Sequence, residues 1–251
     1  MSEAMEVSPS PAALPPASQL GEPAVAREPQ QRVTLGRLGR LALGAVILGA
    51  LLVGTGIVVT RISNSSPYTD SDISRWFVVQ RVDTLNSITL VLSDMAKTMT
   101  VIGVAAVAFF VLRLWLGRWH ESLVLAIALA GEVLIFLTVA ALVHRARPPV
   151  FRLDPAPPTS SFPSGHTAAA VTVYGFLAVV IWRYVANRYF AYVACVLLIA
   201  VPVAVGLARM YRGAHYLTDV LGGAVLGVVW LAFVIRTLMP TDASARSHAR
   251  P

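Results

Sequence analysis

Six long apolar runs, separated by shorter segments that carry most of the charge, organise this chain. The first, Leu41 to Thr60, is uncharged and about 20 residues long, enough as an α-helix to cross a hydrocarbon core of roughly 30 Å. Comparable runs lie at Thr98 to Leu116, Ser122 to Val143, Thr167 to Tyr184, Phe190 to Leu207 and Leu217 to Val234. The pattern predicts an all-α fold, an integral membrane six-helix bundle. Between the first two spans, Arg61 to Lys97 mixes Asp70, Asp72, Arg75, Asp83 and Asp94 with Trp76, Phe77, Leu85, Ile88 and Leu92 at helical spacing. That segment fits either a helix lying along the membrane surface or a packed connector.

Ahead of the first span, Met1 to about Gln31 holds prolines at 9, 11, 15, 16, 23 and 29 and no periodic apolar face, so it is expected to be a disordered tail. The organisation predicted is a disordered Pro/Ala-rich cytoplasmic tail over 1–35, a six-span domain over 36–240 and a short cytoplasmic tail over 241–251. The first apolar run starts near residue 41, and no small-residue cleavage site follows it, unlike a secretory signal peptide.

Composition points the same way: 56% of the residues are hydrophobic and 13% charged, against about 25% charged in soluble proteins. The net charge of +7 rests on arginine, since Lys97 is the sole lysine. These arginines are scattered between apolar runs, so no nucleic-acid partner is expected. Cys195, the sole cysteine, lies in an apolar run, which excludes an intrachain disulfide and a cysteine metal site and leaves packing. One side of the six-span arrangement collects eleven basic residues, including Arg37, Arg40, Arg118 and Arg188, and the other nine. Several of the nine fall where chemistry is expected, so the first side is assigned as cytoplasmic, with both termini inside.

Strict alternation then places two loops on the same, outer face. One reads His144-Arg145-Ala146-Arg147-Pro148-Pro149, then a proline-rich connector, then Pro163-Ser164-Gly165-His166; the other runs from Ala208 to Asp219. The Pro-Ser-Gly-His stretch opens a span, and the free N–H groups at a helix start favour an anion. His215 and Asp219 are four apart, and on one helix face the carboxylate would fix the imidazole tautomer and free the other nitrogen to attack. Arg147 and Arg209 bring forked cationic donors suited to phosphate oxygens, and Ser164 with the Gly165 amide completes an oxyanion cradle. Glu132 falls near the middle of the third span, roughly 22 Å along the helix from Arg147, and is expected to be neutral or inward-facing and to make an interhelical hydrogen bond. No acidic or histidine cluster with metal spacing is visible outside this set, so neither metal nor cofactor is predicted.

Taken together, these residues resemble the type 2 phosphatidic acid phosphatases, the lipid phosphate phosphatase superfamily that includes vanadium haloperoxidases. The family signature has a lysine seven residues before an Arg-Pro, a Pro-Ser-Gly-His, and a Ser-Arg followed by His and Asp. The second part is complete at 163–166, the third is present as Arg209, His215 and Asp219, and the resemblance covers roughly 98–235. Two positions depart from it: Ala140 stands where the lysine belongs, and Ala208 where the serine belongs. Arg145 is a candidate to replace the lost charge. The resemblance implies His215 as nucleophile forming a phosphohistidine, His166 as general acid, Asp219 as its orienting partner, and Arg147, Ser164, Gly165 and Arg209 as phosphate ligands. The substrate expected is a lipid phosphate whose tail stays in the bilayer: a polyprenyl diphosphate, phosphatidate or phosphatidylglycerol phosphate. Alternatives are a lipid phosphotransferase using the same intermediate, and a catalytically lapsed membrane scaffold or transporter, for which Ala140 and Ala208 speak. Oligomeric state leaves no sequence signal.

Overall fold

A computed structural model describes residues 34–65, 70–155 and 159–239. The expected tails over 1–31 and 241–251 lie outside the described residues. Eight helices and no strand occur among the described residues: α1 Leu35–Ser65, α2 Asp70–Val79, α3 Asp83–Asp94, α4 Thr98–Leu116, α5 His120–Val143, α6 Gly165–Tyr184, α7 Arg188–Tyr211 and α8 Leu217–Leu238. Six of them, α1 and α4 to α8, are long and apolar enough to cross a membrane, matching the six predicted spans with ends shifted by a few residues. Their outward faces expose Leu43, Val46, Leu114, Leu134, Leu197 and Val228, the arrangement a bilayer rather than water stabilises.

The most enclosed span is α6, which packs against α4, α5, α7 and α8. Its contact with α8 is close because α8 presents glycines at 223 and 227. A Cβ on Gly223 would lie 2.3 Å from the Ser164 carbonyl oxygen, and one on Gly227 2.6 Å from Val171 Cβ. Small residues spaced four apart let two helix backbones approach in this way. The contact draws the start of α6 down onto the start of α8, a link closed by the Ser164 N–H donating to the Asp219 carbonyl at 2.9 Å.

The connector between the first two spans forms α2 and α3, which pack on the end of α7 and, for α2, the start of α8. Arg81, between them, donates to the Tyr211 carbonyl at 2.9 Å and the Phe151 carbonyl at 2.8 Å. Tyr211 in turn meets the chain at Val82 and Asn86. Asp70, Ser74, Thr89 and Ser93 are buried against protein, while Arg75, Asp83 and Ser87 stay exposed, and the buried set braces the end of the bundle where α5 and α7 finish and α6 and α8 begin.

Candidate active site

The site grows from two helix ends and two helix starts. Gly213, at φ +75, closes α7 in a conformation that costs glycine little. The chain then runs through Ala214, His215 and Tyr216 before α8 starts at Leu217. His215 thus precedes the helix, and its tie to Asp219 is not the face-sharing pair that their spacing predicts. Nδ1 lies 2.8 Å from the Ser161 carbonyl and 3.7 Å from Asp219 Oδ2. A carbonyl only accepts, so Nδ1 carries the proton and Nε2 holds the free lone pair. Ser161 is thus the nearer orienting partner, and Asp219 supports it from behind. The carboxylate accepts from the Ser161 hydroxyl, from the Tyr216 N–H at 2.9 Å and from Arg145 Nη1 at 2.5 Å. Burial pulls the His215 imidazole below the ordinary histidine value; Asp219 opposes this, while Arg209 and Arg147 add to it.

Arg147 donates to the Ala214 carbonyl at 2.9 Å, and its Nη1 stands 3.4 Å from His215 Nε2. Arg209, almost fully buried, donates to Ser93 Oγ at 2.9 Å and reaches Asp154 at 3.3 Å. Both keep a buried Nε–H with no acceptor. Both line a cavity of about 480 Å³ together with Gly165, His166, His215 and Thr159. Two guanidinium groups with unused donors beside an imidazole lone pair make a receptor for a compact anion. Burial lowers the Arg147 value, against the pull of Asp219, yet guanidinium remains charged.

Helix α6 begins at Gly165 beneath this cavity, with His166 in its first turn. Ser164 sits elsewhere than the expected phosphate-facing position. Its side chain is fully buried and is the N-cap of α6, accepting from the Thr167 hydroxyl at 3.0 Å and more weakly from the Thr167 N–H at 3.5 Å. The cavity wall there is made instead by Pro163, Gly165 and His166.

Arg145 also faces away from the cavity. Its guanidinium joins Asp219 to Asp70 of α2, the latter at 2.9 Å, donates to Thr218 Oγ1 at 2.6 Å, and lies 4.3 Å over the Tyr216 ring. It does not stand where a replacement for the missing lysine would touch phosphate. His144, at φ 51, ends α5 in the left-handed region and turns Arg145 inward.

Glu132 differs from its expected role. It is 1% exposed, its Oε2 has no hydrogen-bond partner, and it lines the same cavity as His166, Arg209 and His215. The chain after Val143 does not continue α5, so distance measured along the helix overstates its separation from the site. Below it the cavity meets an apolar groove between α4 and α5 of about 650 Å³, the two sharing Ile102, Leu129 and Val133.

Several supporting residues have no local sequence signature. Ser93 comes from α3, and Asp154 from the proline-rich connector, where it receives Arg212 through two bonds of 2.5 and 2.6 Å. Burial would raise the Asp154 carboxyl, but Arg212 and Arg209 overcome this and hold it below the ordinary value.

The PAP2 superfamily profile matches residues 121–241. Phosphatidylglycerophosphatase B of Bacillus subtilis is 26% identical over 186 residues, covering 69% of this chain and 85% of that protein. In fold, the chain is similar to the transmembrane PAP2-type phosphatidylglycerolphosphate phosphatase of Bacillus subtilis (TM-score 0.65, 23% identity, 79% of this chain and 94% of that one). It is also similar to LpxE of Aquifex aeolicus (TM-score 0.53, 19% identity, 66% and 93%). With six apolar helices and the His215, Asp219 and arginine constellation inside the matched residues 121–241, the chain is similar to multi-pass membrane phosphatases of the PAP2 superfamily.

Proposed function

We propose that the chain hydrolyses a lipid phosphate through a phosphohistidine on His215, at the extracytoplasmic face of the membrane. The observation that carries this reading is the convergence on one cavity of His215, His166 and two guanidinium groups with unpartnered Nε–H donors. His215 Nε2 attacks phosphorus as the bond to the lipid oxygen breaks, and His166 gives that oxygen its proton, help typically worth about 10² to 10⁴ in rate. The Ser161 carbonyl keeps the Nδ1 proton in place, and Asp219 balances the positive charge that the ring gains. His166 then takes a proton from water, which displaces His215 from phosphorus and releases phosphate. Arg147, Arg209 and the Gly165 amide hold the non-bridging oxygens throughout. Ser164 acts by capping α6 and aiming that amide.

The basic-residue count supports both termini on the cytoplasmic side. Arg145, Arg209 and Arg212, counted on the opposite side, are engaged with carboxylates around the site rather than free to bias topology. The apolar groove below the cavity suits a substrate whose tail remains among the helices. Phosphate release from phosphatidate, phosphatidylglycerol phosphate and a polyprenyl diphosphate by purified protein tests the reading. His215→Ala is expected to lose on the order of 10³-fold or more on any substrate that is turned over. Equal release by the two proteins overturns it.

A further inference from the structure

Glu132 is the one buried acid of the cavity that the reaction above does not use. Its burial is nearly complete, its Oε2 meets no donor or acceptor, and it lines the cavity along with Leu129, Val133, Phe136 and Ala169. A polar group left this way costs roughly 1–3 kcal/mol, a cost that a partner from outside the fold would offset. In its acid form it offers one O–H donor and acceptor oxygens.

Its depth says what that partner is. The Phe136 ring lies against Gly165, the first residue of α6. Glu132 is four residues earlier on α5, hence about 6 Å deeper by helix rise. A phosphate gripped by Arg147, Arg209 and the start of α6 therefore leaves Glu132 about one helical turn below it. In a diacylglycerol phosphate the ester carbonyls lie a few bonds beyond phosphorus, a reach of roughly 6 Å at ordinary bond lengths. A polyprenyl phosphate presents only hydrocarbon at that depth. The apolar groove continues below, where Ala105, Ala126 and Ala130 leave room for chains.

We propose that Glu132 is a specificity-determining residue that donates a hydrogen bond to an ester carbonyl of the substrate's glycerol backbone, so that the enzyme favours glycerolipid phosphates over polyprenyl phosphates. This rests on the phosphatase reading above. A site built to bond a polar group discriminates strongly against an analogue without it, because its own group is then left unpaired.

The test uses purified full-length protein and three phosphomonoesters: dioleoyl phosphatidate, its diether analogue, which keeps the phosphate and chains but lacks the carbonyls, and a polyprenyl phosphate. Wild type is expected to prefer the diester to the diether by about tenfold in kcat/KM. Glu132→Leu erases that preference, losing about tenfold on the diester while its rate on the diether and the polyprenyl phosphate holds or rises. Glu132→Gln, which can still donate, keeps most of the preference. Equal wild-type kcat/KM for diester and diether overturns the proposal without needing a variant. So does a uniform fall of Glu132→Leu on all three substrates, which marks a structural acid. Turnover of none of the three by wild type overturns the proposal, while the phosphatase reading falls only if phosphatidylglycerol phosphate and the polyprenyl diphosphate are not turned over either.

Discussion

Replacing Arg145 separates two ways in which a cation can serve this site. As a phosphate ligand it would govern affinity; as placed, it governs the carboxylate behind His215. Its side chain is 2% exposed and joins Asp219 at 2.5 Å to Asp70 at 2.9 Å, and both carboxylates are buried as well. Arg145→Gln removes the one guanidinium that the two share. Breaking a buried ion pair from one side costs about 3–5 kcal/mol. For a protein of this size that corresponds to a fall of roughly 6–20 °C in the apparent melting midpoint. Asp219 keeps the Ser161 hydroxyl and the Tyr216 N–H, and His215 keeps the Ser161 carbonyl, so the nucleophile is loosened rather than lost. The expected kcat is about 10- to 100-fold lower, a barrier increase of roughly 1.4–2.7 kcal/mol. Competitive inhibition by inorganic phosphate is expected to stay within about twofold, since Arg145 does not line the cavity, whereas Arg147→Gln weakens it at least tenfold. Adding Asp70→Asn to Arg145→Gln should restore part of the lost stability by removing one stranded carboxylate. A tenfold rise in the inhibition constant for phosphate in Arg145→Gln, with kcat unchanged, would refute this placement.

Two further outcomes follow from the geometry. His215 has its folded value below the ordinary one, so between the two values the unfolded chain binds the extra proton and stability rises with pH. Unfolding free energy is therefore expected to fall as pH drops below about 6.5, by up to about 1.4 kcal/mol per pH unit, and His215→Asn should flatten that slope; identical slopes would remove His215 as its source. Gly223→Ala puts a methyl group where the Ser164 carbonyl stands, 2.3 Å from a built Cβ, so activity should fall by at least tenfold as the start of α6 is pushed from Asp219, with Gly49→Ala, whose Cβ meets only Ile135 at 3.9 Å, as the near-neutral control.

How much of this was readable in the residues divides along physical lines. Spans are legible because a hydrocarbon solvent imposes length and apolarity on each helix separately, and every one of the six runs meets that demand locally. Arg147, Gly165, His166, Arg209 and His215 are legible as a set because alternation alone brings their loops to one end. What sequence spacing could not supply is where a loop bends. The His215 and Asp219 pair reads as a helical i, i+4 contact, but the turn at Gly213 holds His215 outside α8 and hands its Nδ1–H to Ser161. Ser164 reads as a phosphate donor, yet the cap it supplies to α6 is a demand the backbone makes first. Ser93 and Asp154 belong to segments with no periodic or motif signal, and they enter only through the docking of α3 and the folded connector.

Charge accounting around the cavity gives the arrangement its direction. Four arginines, Arg145, Arg147, Arg209 and Arg212, surround three carboxylates, Asp70, Asp154 and Asp219. Arg145 is matched by Asp70 and Asp219, while Arg209 and Arg212 share Asp154. Arg147 has no carboxylate within ion-pair distance among the described residues, and it is the one beside the free nitrogen of His215. The partner negative charge for Arg147 is thus missing at the point where an attacked phosphorus would sit. Supplying that charge from the fold, with a fourth carboxylate near Arg147, would satisfy the donors and shut out the substrate. Leaving it to an anion that arrives makes binding and compensation the same event, and places the remaining positive charge over oxygens that grow more negative as phosphorus is attacked.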